Sequence, residues 1–196
     1  MWRNLDMVNN LDNLLEKLQL NTRLSSQDIP GLDLYMDQVI QLFENKYEQT
    51  KRTTDEKILT KTMINNYSKG KLFFPIKNKK YSPEHVMLID LIYEMKTILA
   101  IRDIKTTLES LNQQMMEETL DLGPLYESFI KLSGSNLERF TEDSKKMVRE
   151  VDAGQLDDSY LNQVLLVLSF VNMSNYYRRA AEALVDEIAD IEAKKD

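Results

Sequence analysis

The sequence predicts a mainly α protein with one small β-hairpin, and three observations carry that expectation. Only five Gly and four Pro stand among 196 residues, and apolar residues recur at helical spacing along most of the chain. Between residues 59 and 111 a short polar segment, a lysine-rich stretch with a hairpin signal and a plainly capped apolar segment follow one another. Positive charge gathers in the same place. From Lys51 to Tyr81 there are nine Lys or Arg against Asp55 and Glu56, a net of +7 in a chain whose formal charge is −7. Helix, hairpin and capped helix in that order read as a winged helix-turn-helix, with an all-helical C-terminal domain behind it.

Composition narrows the chemistry. The chain has no cysteine, which removes disulfides, thiolate metal sites and cysteine nucleophiles. It has one histidine, no Gly-rich phosphate loop and no His-x-x-x-His spacing. Carboxylate pairs such as Glu117-Glu118 and Asp186-Glu187 are adjacent in sequence, so on a helix they point apart. No enzyme, metal or cofactor is expected. There is no run of about 18 apolar residues for a membrane span and no signal-peptide layout at the start, so the expected address is cytoplasmic.

Taken in order, residues 1–30 read as a helix from Asn4 to Leu20 and a loop from Asn21 to Gly31. A second helix is expected from Leu32 to Tyr47, with Leu32, Tyr35, Met36, Val39, Leu42 and Phe43 on one stripe. Lys46 to Ile58 forms a polar connector, longer than the turn of an ordinary helix-turn-helix. Thr60 is a good N-cap for a short helix that ends where Gly70 supplies a left-handed terminator.

On that short helix Met63, Ile64 and Tyr67 face a core, while Lys61, Thr62, Asn65 and Lys69 face away and Asn66 lies at the margin. Asn pairs with adenine, Lys with guanine or phosphate, and Thr with the thymine methyl. Phe73-Phe74 and Lys80-Tyr81 are expected to pair as strands around Ile76-Lys77-Asn78-Lys79, with the lysines at the tip. Ser82 then caps a helix whose first position is Pro83, and His85 in its first turn reads as a surface or capping residue. Ile101, Ile104, Leu108 and Leu111 mark another helix.

The order from Leu59 to Leu111 resembles a MerR-type winged-helix domain. Tyr67, Gly70, Leu72, Tyr81-Ser82 and Ile101-Arg102-Asp103-Ile104 occupy the places of that family's pattern. More narrowly, Leu34-Tyr35-Met36-Asp37-Gln38-Val39, Leu59 to Tyr67 and Lys80-Tyr81-Ser82 resemble the YkrK-like bacterial family. That family is catalogued largely as a domain of unknown function and includes proteins called transcriptional regulators. The resemblance covers roughly residues 30–111 and implies a DNA-binding domain, expected over residues 31–111.

The remaining domain, 112–196, is acidic, with nine basic and seventeen acidic residues. Gly123-Pro124 starts a helix expected to end at Gly134, and a further helix is outlined from Leu137 to Val151. The last helix, about Asp158 to Ala193, is apolar nearly all round from Leu161 to Val171 and is expected to be buried there. A seven-residue repeat then aligns Phe170, Tyr177, Leu184 and Ile191 at one position and Val167, Ser174, Ala181 and Ile188 at the other. It reads equally as packing within one chain or as a homodimer seam.

The functional expectation is a homodimeric, sequence-specific regulator on double-stranded DNA. Lys61, Thr62, Asn65, Asn66 and Lys69 would enter the major groove, and Lys71, Lys77, Asn78, Lys79 and Lys80 would meet phosphates. The alternative is an interaction or ligand-sensing module of winged-helix shape that does not bind DNA. Its unidentified effector would sit among the C-terminal helices, near Met115-Met116, Met173 and Tyr176-Tyr177.

Overall fold

Side-chain caps decide where several helices begin. Thr60 Oγ1 accepts the Met63 N–H at 3.1 Å, Pro83 follows the extended N-cap Ser82, and Asp158 Oδ1 accepts the Tyr160 N–H at 2.8 Å. The computed structural model describes residues 4–154 and 158–194, with side chains from Leu11 onward. Its order is α1 (Asn4–Lys17), β1 (Leu34–Tyr35), α2 (Met36–Tyr47), a 3-10 turn (Glu48–Thr50), α3 (Lys61–Lys69), β2 (Lys80–Tyr81), α4 (Pro83–Met95), α5 (Ile101–Met116), α6 (Gly123–Asp152) and α7 (Ser159–Glu192). The protein is thus mainly helical with one two-stranded antiparallel sheet. Among the described residues no helix is long and apolar enough to cross a membrane.

The chain divides into two compact units, Met1–Asn21 with Lys131–Arg179, and Thr22–Ile130 with Ala180–Asp196. The second unit holds the main core. Val39, Phe43 and Tyr47 from α2, Ile64 and Tyr67 from α3, and Val86, Leu88, Ile89 and Ile92 from α4 meet in it. Leu24, Leu122 and Tyr126 belong to the same core, so it extends on both sides of residues 31–111. The loop from Asn21 to Gly31 is irregular in backbone, yet Leu24 and Ile29 are buried anchors.

One polar cluster lies inside this core. Asp90, in the middle of α4, is fully buried. The Tyr47 hydroxyl donates to its Oδ1 at 2.7 Å, and the Tyr126 hydroxyl lies 2.8 Å from its Oδ2 and 2.6 Å from the Leu24 carbonyl oxygen. The Leu24 N–H donates to the Tyr47 hydroxyl at 3.1 Å. A carboxylate in such surroundings is costly unless every lone pair and proton is matched.

Five expectations are corrected here. The helix expected from Leu32 begins at Met36, because Leu34 and Tyr35 pair with Tyr81 and Lys80; Gln38 Oε1 then accepts the Tyr35 N–H at 2.8 Å and closes the helix start. Leu32 is consequently exposed. Phe73-Phe74 is not a strand: both strands of the sheet come from β1 and β2, while Phe73 is buried in the core and the Phe74 carbonyl lies 3.1 Å from His85 Nε2. Burial and a side-chain partner take the place of a ladder there.

Gly70 does not supply the left-handed terminator of α3. Its φ is −72°, and Lys71, with φ 55°, does so instead. The Leu72 N–H donates to the Tyr67 carbonyl and the Lys71 N–H to the Ser68 carbonyl, each at 3.0 Å, which is a Schellman ending with lysine in the glycine position. Gly134 ends nothing: it lies inside α6, since a single glycine costs about 1 kcal/mol relative to alanine and does not interrupt a helix held by its neighbours. Finally, Leu161, Leu165, Val167, Leu168 and Val171 are exposed. The packed side of α7 in its unit is marked by buried Asn162 and by Phe170, whose ring centroid lies 6.1 Å from that of Phe140.

Candidate nucleic-acid interface

α3 is amphipathic over barely two and a half turns, and its orientation is set from within. Ile64 and Tyr67 are buried and Met63 half-buried. Lys61, Thr62, Asn65, Asn66 and Lys69 are all exposed. The long connector before α3 is pinned at its end by buried Ile58 and Leu59 and by Lys96, whose Nζ donates to the Ile58 carbonyl at 3.3 Å. Lys96 also stands 4.3 Å above the Tyr93 ring. Burial lowers its pKa, with Glu56 opposing that shift.

The lysine-rich stretch turns more tightly than expected. Lys77 and Lys80 form an antiparallel bridge, and the Lys80 N–H donates to the Lys77 carbonyl at 2.9 Å. Asn78 and Lys79 between them have φ 52° and 60°, the signature of a type I′ turn. Lys77, Asn78 and Lys79 are exposed, while Lys80 is half-buried with its ammonium 5.2 Å from the Tyr35 ring centroid.

His85 fixes this turn to the helical body. The Ser82 N–H donates to His85 Nδ1 at 3.1 Å, so Nε2 carries the proton and donates to the Phe74 carbonyl. The ring is buried, and burial lowers its pKa against the pull of Phe74, Glu84 and Asp33. The histidine is a neutral strut and a helix cap.

The junction of β1 and α2 is a neighbour of both basic elements. Lys61, at the start of α3, pairs with Asp37 at 2.7 Å, and Lys80 covers Tyr35 two residues earlier. The recognition-type face and the base of the basic turn therefore meet the same segment. Among the described residues, no ion pair engages Lys69, Lys71, Lys77, Lys79 or Lys80. Lysines without counter-ions form a field that attracts polyanions.

Backbone strain falls in the same region. Among the described residues five non-glycine residues have positive φ, and three of them are Lys71, Asn78 and Lys79. A lysine in the left-handed region costs more than glycine would, so these side chains stand where backbone economy favours having none. Such strain concentrates at functional positions.

The heptad residues divide differently from a single seam. Phe170 packs on Phe140, Ala181 and Ile188 are half-buried, and Tyr177, Leu184 and Ile191 are exposed. Met115 and Met173 are half-buried and Met116, Tyr176 and Tyr177 exposed. Among the described residues no group of three His, Asp or Glu side chains is placed to hold a metal.

The buried Asp90 cluster escaped the sequence reading. Its signal was there: one carboxylate inside the apolar run from Val86 to Ile92, where an exposed face would have carried several.

Residues 24–129 match the model of a family described as a domain of unknown function, DUF1836. The matched span begins at the buried Leu24 and closes three residues after Tyr126, the two residues that share a hydrogen bond across the core. No curated protein gives a significant match to the chain, and no solved structure does.

Proposed function

We propose that this chain, which belongs to the DUF1836 family, is a cytoplasmic, homodimeric, sequence-specific DNA-binding regulator with a MerR-like winged helix-turn-helix. In this reading α2 is the supporting helix and α3 the recognition helix. The Lys77–Lys80 turn is the wing, a smaller one than a two-strand hairpin.

The observation that carries the proposal is the exposed Lys61-Thr62-Asn65-Asn66-Lys69 face of α3. It lies in one compact unit with strained, uncompensated lysines at Lys71 and Lys79. Polar side chains able to read base edges belong on the helix, and point charges belong on the flanking phosphates. The order strand, helix, helix, tight basic turn, capped helix also supports the MerR-type reading. So does the resemblance of Leu34–Val39 and Leu59–Tyr67 to YkrK-like proteins.

The deciding experiment is selection of bound sequences from a random duplex pool with the full-length protein. Enrichment of a two-fold symmetric site is the expected result. A pool that stays random after repeated rounds at low salt would remove the proposal.

One observation favours the alternative, an interaction module of the same shape without DNA contact. The Asp37–Lys61 pair neutralises one groove-facing lysine. Failure to bind any duplex at micromolar protein and low salt would put that reading ahead.

A further inference from the structure

α7 has an uncharged first half. From Ser159 to Tyr177 there is no Asp, Glu, Lys or Arg, in a chain that is 29% charged. Its inward side is accounted for by Asn162 and by Phe170 against Phe140. The other side is apolar and open. Tyr160 is 69% exposed, Val167 61%, Leu168 57% and Val171 53%, with Leu161 and Leu165 at 42% and 40%. At 100° per residue these six positions fall within one half of the helix circumference.

We infer that this face of α7 is a self-association surface, on which a second copy of the same chain docks about a two-fold axis. It deepens the dimeric part of the function proposed above and assumes nothing about DNA.

Two arguments select a second copy as the occupant. Identical chains, each with a formal charge of −7, repel one another wherever acidic faces meet. A three-turn patch without charge is where they approach at the least electrostatic cost. The area also fits. The six side chains leave roughly 550 Å² of largely apolar surface open, at the upper end of what monomers tolerate. A symmetric pair that buried all of it would cover at most roughly 1,100 Å², close to the ~1,000 Å² that marks a specific interface. In an isologous pair each copy presents the same patch, so no second surface is needed.

The surface shares Val167 with the seam suggested by the heptad repeat and otherwise differs from it. The seam's later positions, Tyr177, Ala181, Leu184, Ile188 and Ile191, are flanked by the carboxylate of Glu187. The Tyr160–Val171 face has none.

The test is analytical ultracentrifugation of the full chain without DNA, alongside Leu168→Glu and, as a control in the heptad seam, Leu184→Glu. The expected result is a dimer for the wild type and for Leu184→Glu. For Leu168→Glu the dissociation constant should rise roughly a hundredfold or more, with unchanged helical circular dichroism because the site is exposed. Leu168→Cys, placed in a chain that has no other cysteine, should form a disulfide-linked dimer on oxidation. A wild-type chain that stays monomeric at high micromolar concentration would assign the face to a different partner and overturn the proposal. A dimer that survives Leu168→Glu but is lost in Leu184→Glu would overturn it equally. Because no DNA is present, failure here and failure of the DNA-binding reading are separate outcomes.

Discussion

Asp90 and Tyr126 face each other across the core at 2.8 Å, and the state of the Asp90 proton decides which acceptor Tyr126 serves. The Tyr126 hydroxyl has a single proton but two acceptors in reach, Asp90 Oδ2 and the Leu24 carbonyl. If Asp90 is protonated, every link is matched. Asp90 then donates to Tyr126, Tyr126 to the Leu24 carbonyl, the Leu24 N–H to Tyr47, and Tyr47 back to Asp90. Burial pushes the Asp90 carboxyl up to about 6, against the hydrogen bonds from the two tyrosines; Glu94 adds to the rise and Arg23 opposes it. The same burial, with Asp90 beside them, raises both tyrosines.

A pH dependence of stability follows. The folded-state value lies above the ordinary carboxyl value of 3.8, so the folded protein holds the proton more tightly than the unfolded chain. The resulting stabilisation is fully present below about pH 4 and is lost as pH rises through about 6, a change of about 3 kcal/mol. Asp90→Asn keeps one donor and one acceptor in the ring without a titrating group. Urea unfolding of that variant at pH 5 and pH 8 should show this part of the pH dependence gone; an unchanged slope would assign it elsewhere. Tyr126→Phe, which removes the link to Leu24, should cost about 1–3 kcal/mol.

Lys71→Gly separates strain from function. Glycine relaxes the left-handed position that closes α3, so the variant should gain about 0.5–1 kcal/mol. Loss of a phosphate contact should lower affinity for every duplex alike. Thermal melts and fluorescence anisotropy measure the two effects. A variant neither more stable nor weaker on DNA would leave Lys71 without the role assigned to it.

Changing Lys77, Lys79 and Lys80 together to Ala should reduce affinity for all sequences and flatten the plot of log affinity against log salt, by about 0.9 per lost contact in each protomer. An identical salt slope would sink the assignment of this turn as a wing. Asn65→Ala should behave differently. It should relax preference at one base pair, by about 1–3 kcal/mol, with the salt slope retained. Selection from a random pool reads that change directly.

Gly134→Ala tests the continuity of α6. A Cβ at this position would meet nothing within 4 Å, so the usual helical preference of alanine applies and stability should rise by about 0.5–1 kcal/mol. A loss of stability would mean that the residue is not in a helical conformation in solution.

How much of this was legible depended on the range of the interactions. Thr60 and Ser82 were readable as caps because a cap is made within three residues of itself. The inward Ile64 and Tyr67 and the outward Lys61, Asn65 and Lys69 followed from helical spacing on one short segment. Gly70 and Gly134 were misread because glycine permits a left-handed or broken backbone without requiring it; Lys71 took the first role and nothing took the second. The strand partner of Lys80-Tyr81 was misassigned to Phe73-Phe74, since the actual partner lies some 45 residues upstream and two-residue strands have no pattern of their own.

By itself the sequence determined the helical class, the three clearest helix starts, the concentration of lysine around α3 and the polar face that α3 presents. All of these are local, governed by propensity, capping and periodicity over a few residues. Only the tertiary structure decided the rest. It paired Leu34-Tyr35 with Lys80-Tyr81 and brought Lys61 to Asp37 and Lys80 to Tyr35, at the junction of β1 and α2. It closed a ring of protons from Leu24 through Asp90 to Tyr126, and it left the Tyr160–Val171 face of α7 open. Each of these depends on which distant side chain arrives opposite, and no spacing along the chain encodes that. Burial and hydrogen-bond partners are properties of the assembled core.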